Sequence, residues 1–299
     1  MNFFVVEVLI GGLLTGVLYS LVALGFVLIF KASGVFNFAQ GAMCLFAALA
    51  LVRLMEAMPT VLAVIAAAAL MLVPAFAIER LVLRPLVNQE GLILFMATIG
   101  ITFFIDGFGQ ALFGSDVYAL DLGIPKDPLI LFDGIVPGGI LINEFDLWAA
   151  VIAGLLVIVL AIFFQRTRIG RALRAVADDH QAALSVGIPL RHIWVIVWGV
   201  AGLVALVAGI IWGSKLGVQF SIALVALKAL PVLMLGGLTS VPGAIVGGLL
   251  VGAGEKLSEV FLGPYFGGGI ETWFAYVLAL LVLLMRPQGL FGERIIERV

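Results

Sequence analysis

Side chains able to carry chemistry are sparse in this sequence, and they fall at three places. The first is the segment 166–192, RTRIGRALRAVADDHQAALSVGIPLRH, which sets Arg166, Arg168, Arg171, Arg174 and Arg191 against Asp178 and Asp179. The second is the pair Asn37 and Gln40 beside Gly41. Their amides can offer donors and acceptors to a zwitterion or an amide in a pathway; equally, they can cap a helix or bond a neighbouring one. The third is Lys228, within the apolar stretch IALVALKALPVLML. A lysine at the centre of a membrane helix costs about 2.5–3.5 kcal/mol on insertion scales. Such a cation faces the bundle interior or a wet cavity. Two readings stand for it: a structural pair, with Asp106 of ITFFIDGFGQ or with carbonyls freed at a broken helix, and a gate or pathway group.

None of these places assembles a catalytic centre. The sequence has no G-x-x-x-x-G-K-[ST] phosphate loop, and 209–215 lacks the required spacing. It has no H-E-x-x-H, and both histidines, His180 and His192, lie in the basic segment. No G-x-S-x-G elbow and no G-x-G-x-x-G after a strand occur. The lone Cys44 excludes an internal disulfide and a thiolate metal cage. We therefore expect no catalytic residue, no metal ligand set and no cofactor in this chain. If the protein pumps, its energy comes from a partner or an ion gradient.

The elements that hold these residues are read from apolar length. Of 299 residues, 64% are hydrophobic and 11% charged, with a mean hydropathy of +1.27. A soluble domain carries about a quarter charged residues, so lipid is the expected solvent here. Net charge is −2, which leaves no nucleic-acid footprint. The runs are continuous rather than alternating, which excludes a β-barrel. Runs near spanning length appear at 8–30, 37–55, 60–79, 91–113, 147–165 and 193–213, then at 222–235, 244–261 and 270–286. The expectation is an all-α polytopic membrane protein, a single transmembrane domain over 1–299, with about nine transmembrane segments. Short or broken helices are expected near 222–261, meeting at a turn built on Gly236, Gly237, Pro242 and Gly243. A re-entrant 222–254, giving seven true spans, has the same parity. Rows of small residues (Gly12, Gly16, Ser20; Ala201, Ala205, Gly209, Gly213; Gly243, Gly247; Gly248, Gly252) suit close helix packing.

Charge sets the expected orientation. The loop 114–146 holds Asp116, Asp121, Asp127, Asp133, Glu144 and Asp146 against Lys126 alone, whereas 166–192 is basic. The positive-inside rule makes 166–192 a cytoplasmic loop and 114–146 an external one with room for a short helix. The N-terminus then lies outside and the C-terminus inside. MNFFVVEVLIGG lacks a basic region and a small-residue cleavage site, so it is expected to remain as the first span.

Within the basic segment, Leu173, Val176, Ala177, His180 and Leu184 fall on one face of a helix, with Arg171, Arg174, Asp178 and Ser185 away from it. Gly187 is placed to stop that helix, with Pro189 beyond. A solvated loop facing lipid headgroups is the plainer alternative. Gln181-Ala182-Ala183 followed by Gly187 matches the E-A-A-x-x-x-G spacing of the coupling loop in ABC-importer permeases, with Gln for Glu. The chain as a whole resembles the smaller membrane permease of the branched-chain amino-acid type of ABC importer. The resemblance is carried by Gly16–Gly25, Phe36–Gly41, Ile78–Pro85, Ala97–Gly100, Arg166–Gly187, Lys228 with Leu235–Gly248, and Arg286–Gly292.

That resemblance implies a bacterial cytoplasmic (inner) membrane location and uptake of branched-chain amino acids or similar small polar solutes. It implies a second permease subunit, as a heterodimer or a homodimer, two cytoplasmic ATPases that bind the ATP, and an extracytoplasmic substrate-binding protein. On this reading Arg171, Arg174, Gln181, Ala182, Ala183 and Gly187 couple to the ATPase, and Asn37, Gln40 and Lys228 border the substrate path. Where the family commonly has N-F-A-H-G this chain has Gln40, so urea or short amides stay open as substrates. An ion-coupled transporter or channel is the rival class, since it too uses broken helices and buried charges. A scaffold without transport is the third.

Overall fold

The computed structural model describes residues 2–86, 89–131, 139–178, 183, 185, 187–188 and 190–292. The helices in chain order are α1 (Asn2–Ser33), α2 (Gln40–Ala57), α3 (Thr60–Ile78), which runs on into a π turn (Glu79–Leu83), and α4 (Gly91–Phe113). After two strands follow α5 (Glu144–Arg166), α6 (Arg168–Asp178), α7 (Leu190–Leu216), α8 (Ser221–Gly236), α9 (Val241–Phe266) and α10 (Phe274–Met285). Every apolar run of the sequence is a helix. Six of them, α1 to α5 and α7, are long and apolar enough to cross a membrane unaided among the described residues. Among the described residues the count is six, or seven if the bent pair α8 and α9 is one span, against the nine expected. Helices α8 and α9 bend by 116° at the break between them, and α10 has 12 residues. At about 1.5 Å per residue, such a helix falls short of the roughly 30 Å hydrocarbon core.

Local chemistry fixes the helix ends. Gly34 (φ 68°) closes α1 with its N–H on Phe30 O at 2.8 Å, and Gly114 (φ 84°) closes α4 on Gln110 O at 2.9 Å. Both have a positive φ, which glycine adopts without Cβ strain. Ser240 opens α9 by accepting the Gly243 N–H at 3.0 Å, with Pro242 in the first turn, where its missing donor costs nothing.

The chain divides into two compact units. The first comprises 1–23, 123–157 and 228–299. Its centre is the crossing of α1 on α9. A Cβ on Gly16 would lie 2.9 Å from Leu249 Cα, and one on Gly12 would lie 2.8 Å from Ala253 Cα, so the two backbones touch. Ser20 Oγ, at the end of the same row, donates to Gly16 O at 2.9 Å and to Ile245 O at 3.2 Å. Between α4 and α5, the described residues of the loop contain no helix. They form an antiparallel pair, β1 (Pro128–Leu131) with β2 (Ile140–Asn143), in register Pro128↔Asn143 to Leu131↔Ile140.

The second unit comprises 24–122 and 158–227. Its core helix is α2, buried on all sides from Gln40 to Val52, as expected of a helix apolar all round. Gly41 lies against the Ala223 carbonyl and the Ala226 side chain of α8, and Gly209 of α7 lies against the Cys44 carbonyl. Helices α3 and α4 present most of their surface outward, including Leu62, Ile65, Val73, Phe103 and Phe104.

The α1–α9 contact yields a stability prediction. A Cβ on Gly248 would lie 2.6 Å from Gly16 O and 2.9 Å from Ser20 N, whereas one on Gly11 meets nothing within 4 Å. Gly248→Val should destabilise the protein by about 1–3 kcal/mol through overpacking, and Gly11→Ala should be close to neutral. Thermal unfolding of both variants in detergent checks this.

Candidate functional site: the basic corner and the intramembrane charge network

The corner between α5 and α6 is built by three residues. Thr167 caps α6, its Oγ1 accepting the Gly170 N–H at 3.0 Å while donating to Phe163 O at 2.6 Å. Gly170 packs directly on the carbonyls of Phe163 and Phe164, where a larger residue has no room. Arg174 reaches back from α6 and donates to Phe164 O and to Gln165 O, the latter at 3.3 Å. Those carbonyls belong to the last turn of α5, where helix acceptors lack internal partners and the helix dipole favours a cation. The corner therefore fixes α6 to the end of α5.

Of the residues read as the apolar face of the basic segment, the side chains of Ala177, His180 and Leu184 lie outside the described residues, as does that of Asp178 on the other face. Leu173 and Val176 are buried and Arg171 is exposed. Gln181 and Ala182 lie outside the described residues. Ala183 is helical and buried, and Gly187 has φ 83°. The Ile188 N–H donates to Ala183 O at 3.0 Å, the long bond of a Schellman stop centred on Gly187. Of the six residues read as ATPase-coupling, Arg174 is committed to α5 carbonyls, Ala183 and Gly187 form the stop, and Arg171 is free to face solvent.

Asn37 and Gln40 come together, and both are 0% exposed. Asn37 Nδ2 donates to Gln40 Oε1 at 3.2 Å, and Asn37 Oδ1 accepts the Ala39 N–H at 3.1 Å. Gln40 Nε2 donates to Ala201 O of α7 at 3.4 Å, and Gly25 of α1 leaves the space that the Gln40 amide fills. Each amide thus bonds inside the bundle.

Lys228 does not pair with Asp106. Its ammonium lies 3.3 Å from Glu255 Oε1 and donates to Glu271 O at 2.7 Å. The Lys228 side chain is 27% exposed and that of Glu255 3%. The second Glu255 oxygen accepts the Tyr19 hydroxyl at 3.0 Å. Lys256 pairs with Glu271 Oε2 at 3.2 Å, and Glu259 accepts the backbone N–H groups of Gly269 and Glu271 at 2.9 and 3.0 Å. Reading the sequence for Lys228 missed Glu255, Tyr19 and Glu271. The signal available was the adjacent Glu255-Lys256 inside the run 244–261, which is as costly in lipid as Lys228 itself.

The turn at 236–243 is a backbone contact. A Cβ on Gly236 or Gly243 would strike the other's carbonyl, and Gly237 has φ 103°. Beyond α10, Leu290 and Phe291 donate their N–H groups to Leu235 O and Gly236 O at 2.8 and 3.1 Å. The segment 286–292 thereby caps the C-terminal end of α8, and Pro242 starts α9.

The charge network predicts non-additive stability. Lys228→Met leaves a buried carboxylate without its cation, and Glu255→Gln leaves the cation without its carboxylate, so each single change should be strongly destabilising. The double variant should recover at least about 1 kcal/mol relative to the sum of the two. A double-mutant cycle on unfolding in detergent measures it; strict additivity would mean the pair is not coupled.

The comparisons with known proteins agree along the whole chain. The family described as "Branched-chain amino acid transport system / permease component" matches residues 8–286. The high-affinity branched-chain amino acid transport system permease protein BraD of Pseudomonas aeruginosa is 31% identical over 303 residues, covering 97% of each chain. The corresponding protein LivH of Escherichia coli K12 is 28% identical, covering 96% of each chain. Among solved structures, PsaBC from Streptococcus pneumoniae in complex with Fab superposes with a TM-score of 0.50 at 14% identity, over 93% of this chain and 91% of that one, a likeness of fold. With polytopic apolar helices, a capped basic corner and a family match over nearly its whole length, this chain belongs to the branched-chain amino acid transport system permease family.

Proposed function

We propose that this protein is the membrane-embedded permease subunit of an ABC importer for branched-chain amino acids, in a cytoplasmic membrane with its N-terminus outside and C-terminus inside. It holds no motor of its own. Two cytoplasmic ATPases bind ATP, an extracytoplasmic binding protein delivers the solute, and a second, related permease completes the pathway as a heterodimer. The observation that carries this reading is the corner at Thr167, Gly170 and Arg174. A push on the 166–192 segment passes through short hydrogen bonds into α5 instead of being absorbed by a flexible link. The Schellman stop at Gly187 keeps the docking piece short.

Within the bundle, the 0% exposure of Asn37 and Gln40 supports a positioning role, holding the α1–α2 connection against α7 beside the path. Lys228, part-exposed and held by Glu255, is the group we place nearest the path. Substrate contact through Gln40 would favour compact amides such as urea instead of leucine.

The test is co-reconstitution of the chain with its permease, ATPase and binding-protein partners in vesicles, measuring uptake of labelled leucine and labelled urea. ATP-dependent leucine uptake is expected. Uptake driven by an ion gradient without ATP would establish the rival class, and urea uptake alone would reassign the substrate. A second expectation concerns the handle. Gly187→Arg should abolish ATPase co-purification and ATP-driven uptake, because an L side chain is strained at φ 83° and the stop is lost. Size-exclusion profiles of the membrane-inserted variant should match those of the parent.

A further inference from the structure

Apart from these sites, one cleft of about 320 Å³ opens between the end of α3 with its π turn and the first turns of α7. Its apolar wall is Phe76, Val195 and Ile196, and its polar rim is Glu79, Arg80, Arg84 and His192. The π turn creates the rim. The Arg84 N–H donates to Glu79 O at 2.9 Å, an i→i+5 bond, and the wide turn gathers Glu79, Arg80 and Arg84 at one opening. Arg80 lies 5.8 Å from the Phe76 ring centroid, over its face. Both arginines and His192 are exposed, while Glu79 is buried.

Charge and hydropathy together define what fits. Two guanidinium groups against one carboxylate leave a single positive charge at the rim, with the His192 imidazole as an added polar group. One phosphodiester neutralises it. Directly along α3 from the rim, Phe76, Val73 and Leu72 form an outward apolar strip on a helix that crosses the membrane. A ligand that satisfies both features has an anionic head and an apolar tail lying parallel to α3. Inorganic phosphate satisfies only the first. Basic clefts between transmembrane helices hold anionic headgroups in this way.

We propose that this cleft is a binding site for an anionic phospholipid of the phosphatidylglycerol type. Its phosphate sits between Arg80 and Arg84, and one acyl chain lies on Phe76, Val73 and Leu72. The proposal concerns the chain in its bilayer and holds whatever solute the protein moves.

The experiment uses the full chain, purified in detergent and titrated with phosphatidylglycerol or phosphatidylcholine, with bound lipid counted by native mass spectrometry. One phosphatidylglycerol should be retained in preference to phosphatidylcholine. Arg80→Gln with Arg84→Gln should weaken that retention about thirtyfold, since each basic residue near an anionic headgroup contributes about 1 kcal/mol. The Lys substitutions at both positions should restore most of it, which separates lost charge from lost fold. Equal retention of the two lipids, or unchanged phosphatidylglycerol retention in the Gln variant, would overturn the proposal. So would competition by inorganic phosphate at the same concentration as the lipid, which would make the site a phosphate site and not a lipid one.

Discussion

The close approach of helix backbones through glycine underlies everything else in this molecule. In hydrocarbon, an apolar side chain gains little by leaving lipid for protein, so helices cohere through van der Waals contact and hydrogen bonding at short range. Gly12 and Gly16 of α1 meet Gly248 and Gly252 of α9 with carbonyl against Cα, and Gly236 meets Gly243 across the turn between α8 and α9. Gly41 and Gly209 do the same around α2 in the other unit. A single added methyl at any of these crossings would run into neighbouring backbone. Such packing is dense and has few intermediate states.

The charges follow from that frame. A bilayer interior tolerates an ion only when it is partnered, and the first unit gathers Lys228, Glu255, Lys256, Glu259 and Glu271 into one connected set with Tyr19. Several of the bonds go to backbone groups of 269–271, so the set also fixes the short 3₁₀ turn Ile270–Thr272 before α10. At the α5–α6 corner the same economy appears in another form. Arg174 satisfies carbonyls that the end of α5 would otherwise leave to solvent, and Thr167 satisfies donors at the start of α6. The arginine-rich segment is thus part scaffold and part surface, with Arg174 in the first role and Arg171 in the second.

Which parts were legible in the sequence follows from range. Lipid solvation, helical class, the position of every apolar helix, the break near 236–243 and the stop at Gly187 depend on residues near one another in the chain. Apolar length, glycine and proline placement and helical periodicity report such things directly. The family resemblance was legible for the same reason, since its motifs are contiguous stretches. The two-stranded ladder in the acidic loop was not legible, because it depends on pairing between 128–131 and 140–143, which local composition does not display.

What only the tertiary structure decided is who partners whom. Lys228 announces that it needs a counter-charge, and Asp106 and Glu255 are both carboxylates within apolar runs; only the packed helices put Glu255, and not Asp106, 3.3 Å from its ammonium. Asn37 and Gln40 suit a solute, a helix cap or a neighbouring helix, and that they are fully buried and bond each other is visible only once the bundle is packed. The number of full spans likewise depended on the 116° bend and on the shortness of α10. The sequence determines what each residue requires, because solvation and backbone freedom are properties of type and neighbourhood. Which group meets that requirement is set by distances between segments far apart in the chain, and these exist only once the helices have packed.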